Sequence, residues 1–208
     1  MSSYELVQIS PDTIAASIPE VFKTQAKILG GFVAVLWVLE IVDSLLLRGA
    51  LNRYGIRPRR VVGLRGILFA PFLHGDLGHL AANTPPLLVL GWFIMLRDLN
   101  DFWIATPVVW LVSGLGVWLL GASNSNHIGA SGLVFGYLGF LLLRGYFEQS
   151  PLAIAFAVAA GLLYGSLIWG VLPNQRGKSW QGHLFGFIGG GLAARFLPEL
   201  QQYFARFL

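Results

Sequence analysis

Residues 127–140 read HIGASGLVFGYLGF, a polar cluster that runs without a break into an apolar, helix-like stretch. Glycine recurs at 129, 132, 136 and 139, although each glycine costs a helix interior about 1 kcal/mol relative to alanine. One serine, Ser131, stands at the junction with no charged neighbour. The hydroxyl and the run of small residues call for a common explanation.

Outward from this stretch the chain stays apolar. Of its 208 residues 55% are hydrophobic and 12% charged, against about a quarter charged in a soluble domain, so the composition is that of a membrane protein. The net charge of +4 raises the question of nucleic acid. The arginines, however, lie in short segments between apolar runs, where anionic lipid headgroups are the natural contact, and no nucleic-acid partner is expected. There is no cysteine, which excludes disulfides, thiol catalysis and zinc–thiolate sites. The first twenty residues lack a basic start and an apolar core, so they do not read as a secretory signal, and the insertion signal is expected in the first spanning helix. Residues 1–22 read as a polar, amphipathic tail and 23–208 as one membrane-embedded domain.

A crossing needs roughly 20 apolar residues. Six stretches qualify, at about 25–47, 79–97, 102–121, 131–147, 152–172 and 183–197. The fourth and sixth are short, as segments that start below the membrane surface are. Between the first two, ILFAPFL (67–73) is apolar but too short to span, and reads as an interfacial or re-entrant piece. The expected fold is thus an all-α, polytopic six-helix bundle with an interfacial first loop. Helices two, four and six cross in the same direction, so their N-terminal ends share one side. His79 and Asn83, Ser131, and His183 stand at those ends.

A serine hydroxyl needs a positioned base, and histidine is the usual one near neutral pH. Gly132 and Gly136 form a small-xxx-small face on the fourth helix, and Gly182, Gly186 and Gly190 form another on the sixth. Such faces let backbones approach closely, which a Ser131–His183 hydrogen bond requires. The Ser131 N–H, near a helix N-terminus, and the side chains of His79 and Asn83, four apart on one face, are candidate oxyanion donors. Pro85 and Pro86 cannot donate to the carbonyls of Ala81 and Ala82, so an irregular helix is expected there. His127 reads as a loop residue near the membrane surface. Ser113 and Ser166 are expected to bond back to their own helices, and Glu40 and Asp43 in the first run to be structural acids.

With these residues assembled, the chain resembles the rhomboid family of intramembrane serine proteases from about residue 60 to 197. GASG (129–132) is similar to the family's GxSG, HLFGFIGG (183–190) to its HxxGxxxG, and HLAAN (79–83) to its HxxxN. The resemblance implies Ser131 as nucleophile, His183 as base in a dyad without a carboxylate, and oxyanion stabilisation by His79 and Asn83. It implies supporting places for Gly129, Gly132, Gly186 and Gly190, a structural role for His74 in FLHGDLGH (72–79), and stacking of Phe135 on the imidazole. Where the family commonly has Trp-Arg in its first loop, this chain has Leu64-Arg65, so only the arginine is kept. No metal or cofactor is implied. The implied partners are the lipid bilayer and single-span membrane-protein substrates, cleaved near small or helix-breaking residues.

The resemblance also implies an active side facing away from the cytoplasm. Sorting the cations by side puts Lys23, Lys27, Arg97, Arg144, Arg195 and Arg206 opposite the site, and the Arg48–Arg65 group with Arg176 and Lys178 beside it. That count leans the other way, unless the arginine-rich loop is embedded at the interface. Two rival readings are a non-catalytic relative that binds membrane clients and a small proton-coupled transporter built on Glu40 and Asp43.

Overall fold

A computed structural model describes residues 11–173 and 179–206, with side chains from residue 19 onward. Residues 1–10 of the expected tail, Arg176 and Lys178 lie outside the described residues. The described chain is helical, and its one antiparallel bridge joins Ile56 to His127.

Helix α1 (Pro11–Val42) runs into a π-turn (Asp43–Leu47), and a 3-10 turn (Ala50–Tyr54) leads to α2 (Val61–Phe69). After a 3-10 turn at Ala70–Phe72 come α3 (Leu77–Met95), α4 (Leu99–Leu120), α5 (Ser131–Glu148) and α6 (Pro151–Tyr164). A 3-10 segment (Gly165–Val171), α7 (Trp180–Arg195) and α8 (Leu197–Phe204) complete the chain. Among the described residues, four helical stretches are long and apolar enough to cross a membrane: Pro19–Leu47, Leu77–Met95, Leu99–Leu120 and Pro151–Val171.

α5 and α7 pack together along the glycine faces. A Cβ on Gly186 would fall on the backbone of Gly132, one on Gly190 on the Gly136 carbonyl, and one on Gly139 on the backbone of Phe187. On the other flank of this pair α4 presents Val109, against which Gly136 and Gly189 close. Around them Leu36, Leu80, Leu87, Leu90, Tyr137 and Phe140 form a continuous core. α2 seats itself by the same device, with Gly63 against the Arg57 backbone and Gly66 against Gly55 and Ile56.

Two local expectations are corrected. α3 runs unbroken through Pro85 and Pro86. Ala81 and Ala82, whose carbonyls lose their donors, are exposed rather than in the core, so the loss is tolerated. Nearby, Thr84 donates to the Leu80 carbonyl and receives the Trp37 indole N–H. The stretch expected as a fifth regular helix gives up its α form at Gly165 and finishes as 3-10. The buried acids of the first run are bound locally: Glu40 accepts from the Ser44 hydroxyl at 2.7 Å and Asp43 from the Leu51 N–H at 2.8 Å.

At the end of the bundle opposite Ser131, the buried Asp101 of α4 pairs with Arg144 of α5 and accepts from Gln201 of α8 at 2.7 Å. Glu148 joins Arg144 at 2.8 Å and Arg97 at 2.6 Å. These contacts fasten the far end of α5, whose near end carries Ser131, to α4, α8 and the segment after α3.

Candidate active site

The turn that delivers Ser131 is held from three directions. His127 exchanges two backbone bonds with Ile56 (2.9 and 3.0 Å), Gly129 donates to the Ala70 carbonyl (2.8 Å), and the Ala130 N–H donates to His74 Nε2 (3.3 Å). His74 is fully buried, and burial, with the charge of neighbouring His79, brings its pKa down from 6.5 to about 4. It is therefore neutral at physiological pH, as an acceptor nitrogen must be.

Gly129 has φ +115°, a conformation open to glycine. A Cβ there would sit 2.8 Å from His79 Cε1 and 2.9 Å from Nε2, with Asn83 Nδ2 at 3.8 Å. Gly129 thus lets the His79 ring lie flush against the approach to Ser131. Asn83 is buried, and its Nδ2 has no hydrogen-bond partner among the described residues. An unmade bond of this kind is costly, and such donors are what a transient oxyanion needs. Ser131 opens α5, so its own N–H has no carbonyl one turn back to donate to.

Ser131 Oγ lies 3.0 Å from His183 Nε2. The other ring nitrogen, Nδ1, lies 2.9 Å from the carbonyl of Gly170 in the 3-10 tail after α6. A carbonyl only accepts, so Nδ1 carries the proton and the bare Nε2 faces the serine hydroxyl. Phe135, one turn after Ser131, stacks on the imidazole with centroids 4.0 Å apart and planes 2° from parallel. Gly170 permits this, since a Cβ there would meet Phe135 Cζ at 2.6 Å. Beside Ser131 a cavity of about 40 Å³ is walled by Ile67, Trp110, Val117 and Leu133, with Ser113, His127 and Ser179 as polar groups.

One residue behaves differently from the sequence expectation. Ser113 does not bond back to its own helix; its hydroxyl donates to the Gly182 carbonyl at 3.0 Å and ties α4 to α7. His127 lies in the loop between α4 and α5, half-buried and bonded through both ring nitrogens, to Ser125 and Ser179. Burial lowers its pKa. Sequence reasoning also missed Gly170, whose backbone carbonyl leaves no trace in residue type, and Ser179, which caps α7 through Gly182 N–H at 3.3 Å. Ser179 was findable, since a serine directly before an apolar periodic run is a helix-start signal. Arg65 is exposed on α2, its guanidinium 4.6 Å from the Tyr54 ring centroid, and does not line the cavity. Leu64 beside it is 40% exposed, since α2 is anchored by its glycines.

The chain matches the family model of the Rhomboid domain over residues 63–199. It is 44% identical over 178 residues to uncharacterized proteins of Mycobacterium bovis and Mycobacterium tuberculosis, covering 81% of this chain and 74% of each relative. An uncharacterized protein of Mycobacterium leprae is 43% identical over the same length, covering 81% of this chain and 70% of its own.

Proposed function

The chain belongs to the rhomboid family, and from that premise we propose that it is an intramembrane serine endopeptidase acting through a Ser131–His183 dyad. The observation that carries the reading is the 3.0 Å contact between Ser131 Oγ and His183 Nε2, with the ring oriented by the Gly170 carbonyl.

In this reading Ser131 Oγ attacks the scissile carbonyl as His183 Nε2 takes its proton, and the imidazolium then protonates the leaving amine. The oxyanion is held by the Ser131 N–H and the side chains of His79 and Asn83, each such donor contributing about 10²–10³ in rate. Water enters by the polar 121–126 approach and releases the acyl group, with His183 again the base. The small cavity beside Ser131 suits a water or two, or a side chain of alanine size, which favours cleavage beside small residues. A helix hides its carbonyls in hydrogen bonds, so the substrate must unwind at the site.

The architecture proposed with this activity has six crossings, formed by α1, α3, α4, α5, α6 and α7. Short α5 and α7 begin below the surface, α2 lies at the interface, and residues 1–22 lead into the domain of 23–208. The site faces away from the cytoplasm, and the partners are single-span membrane proteins. The test is incubation of detergent-purified protein with a single-span substrate. Wild type cleaves it, and Ser131→Ala and His183→Ala do not. Intact substrate with active-side access verified, in every preparation, would instead favour a client-binding relative.

A further inference from the structure

The base is carried by α7, and its accuracy depends on how that helix begins. Ser179 is the cap: its Oγ accepts the Gly182 N–H at 3.3 Å and its carbonyl accepts the His183 N–H at 3.1 Å. What holds Ser179 is a histidine from a different segment. His127 Nδ1 lies 2.6 Å from Ser179 Oγ, and His127 Nε2 lies 2.6 Å from Ser125 Oγ.

The directions of these bonds follow from the donors available. Ser125 gives its hydroxyl proton to the Ala122 carbonyl at 2.5 Å, so toward His127 it accepts, and Nε2 carries the ring N–H. Nδ1 is then the lone-pair nitrogen and receives the Ser179 hydroxyl. One ordered relay results: Gly182 N–H to Ser179 Oγ, Ser179 O–H to His127 Nδ1, His127 Nε2–H to Ser125, Ser125 O–H to Ala122. It operates with a neutral ring. The backbone of His127 is fixed independently by its pairing with Ile56. Arg59 of the segment before α2 is spent on the Leu119 carbonyl and Ser123.

We propose that His127 is a positioning residue for His183, holding the Ser179 cap so that α7 starts in the register that sets the imidazole on Ser131. The inference rests on the proposed dyad, and it assigns His127 no proton transfer in the reaction.

The test uses the full chain in detergent and a small fluorophosphonate probe, which reports Ser131 reactivity without the contacts a peptide would make to His127 in the cavity. His127→Ala should label about tenfold more slowly than wild type. His127→Asn, whose amide reaches the place of Nδ1, should recover to within about twofold, a rescue that general loss of packing would not give. Hydrogen exchange over residues 179–183 should quicken in His127→Ala and return in His127→Asn, and this readout needs no catalysis. Labelling and exchange at wild-type rates in His127→Ala, or an asparagine variant as impaired as alanine in both, overturns the proposal. An unlabelled wild type with the exchange pattern as expected overturns the dyad and leaves the His127 tie standing.

Discussion

Along α5, residues 133–141 are all buried, whereas along α6 only Ala153 and Ala160 are, and Leu162 is 83% exposed. The two helices follow one another in the chain, and the more exposed α6 is also the more apolar. The difference lies in what they meet. α5 meets α7 backbone to backbone through glycines, so its position is fixed by contacts that cannot be compressed. α6 presents large side chains outward, loses its α form at Gly165, and gives the site a single carbonyl, that of Gly170. The two groups of the proposed dyad sit on the interlocked pair, and the segment after the outward helix gives the imidazole its orienting carbonyl.

The contrast is broken most severely by adding one carbon to the seam. Gly186→Ala drives a Cβ into the Gly132 backbone. It should cost about 3 kcal/mol of stability and at least about 10²-fold in probe labelling of Ser131, since a displacement of about 1 Å is worth that much. Thermal unfolding and labelling rate read the two effects. Asn83→Ala leaves the seam intact and removes a donor that lacks a partner among the described residues. Cleavage should fall about 10²-fold with little loss of stability, a split that separates oxyanion binding from packing.

His74 tests the support beneath the seam. Its folded pKa of about 4 lies below the ordinary 6.5, so the unfolded chain takes up the proton first as pH falls. Stability is therefore complete above pH 6.5 and declines toward pH 4, by about 3 kcal/mol for this group. Thermal midpoints across that range should fall less steeply in His74→Gln than in wild type. The smallest effect is expected on the other side of the comparison: Leu162→Ala, on the exposed face of α6, should change stability by under about 0.5 kcal/mol and leave labelling unchanged.

The gathering of His79, Asn83, Ser131 and His183 was legible in the sequence because alternate apolar runs read as crossing in one direction and glycine periodicity marks a close contact. Both are properties of residue type and spacing. Bonds between segments distant in the chain were not legible. Ser113 has the same type as a serine bonded to its own helix, and only the packing of α4 on α7 brings the Gly182 carbonyl to it. His127 looks like a loop histidine until Ser179 is folded against it. Pro85 and Pro86 mark an irregularity by local chemistry, yet the helix passes through them because the carbonyls they abandon are on exposed residues.

The central claim is that His183 makes Ser131 a nucleophile. Mass-spectrometric mapping of the fluorophosphonate adduct on purified protein tests it most directly. The account predicts one adduct, on the peptide containing Ser131, lost in His183→Ala while the variant keeps its fold. An adduct on another serine, or one undiminished in His183→Ala, would contradict it.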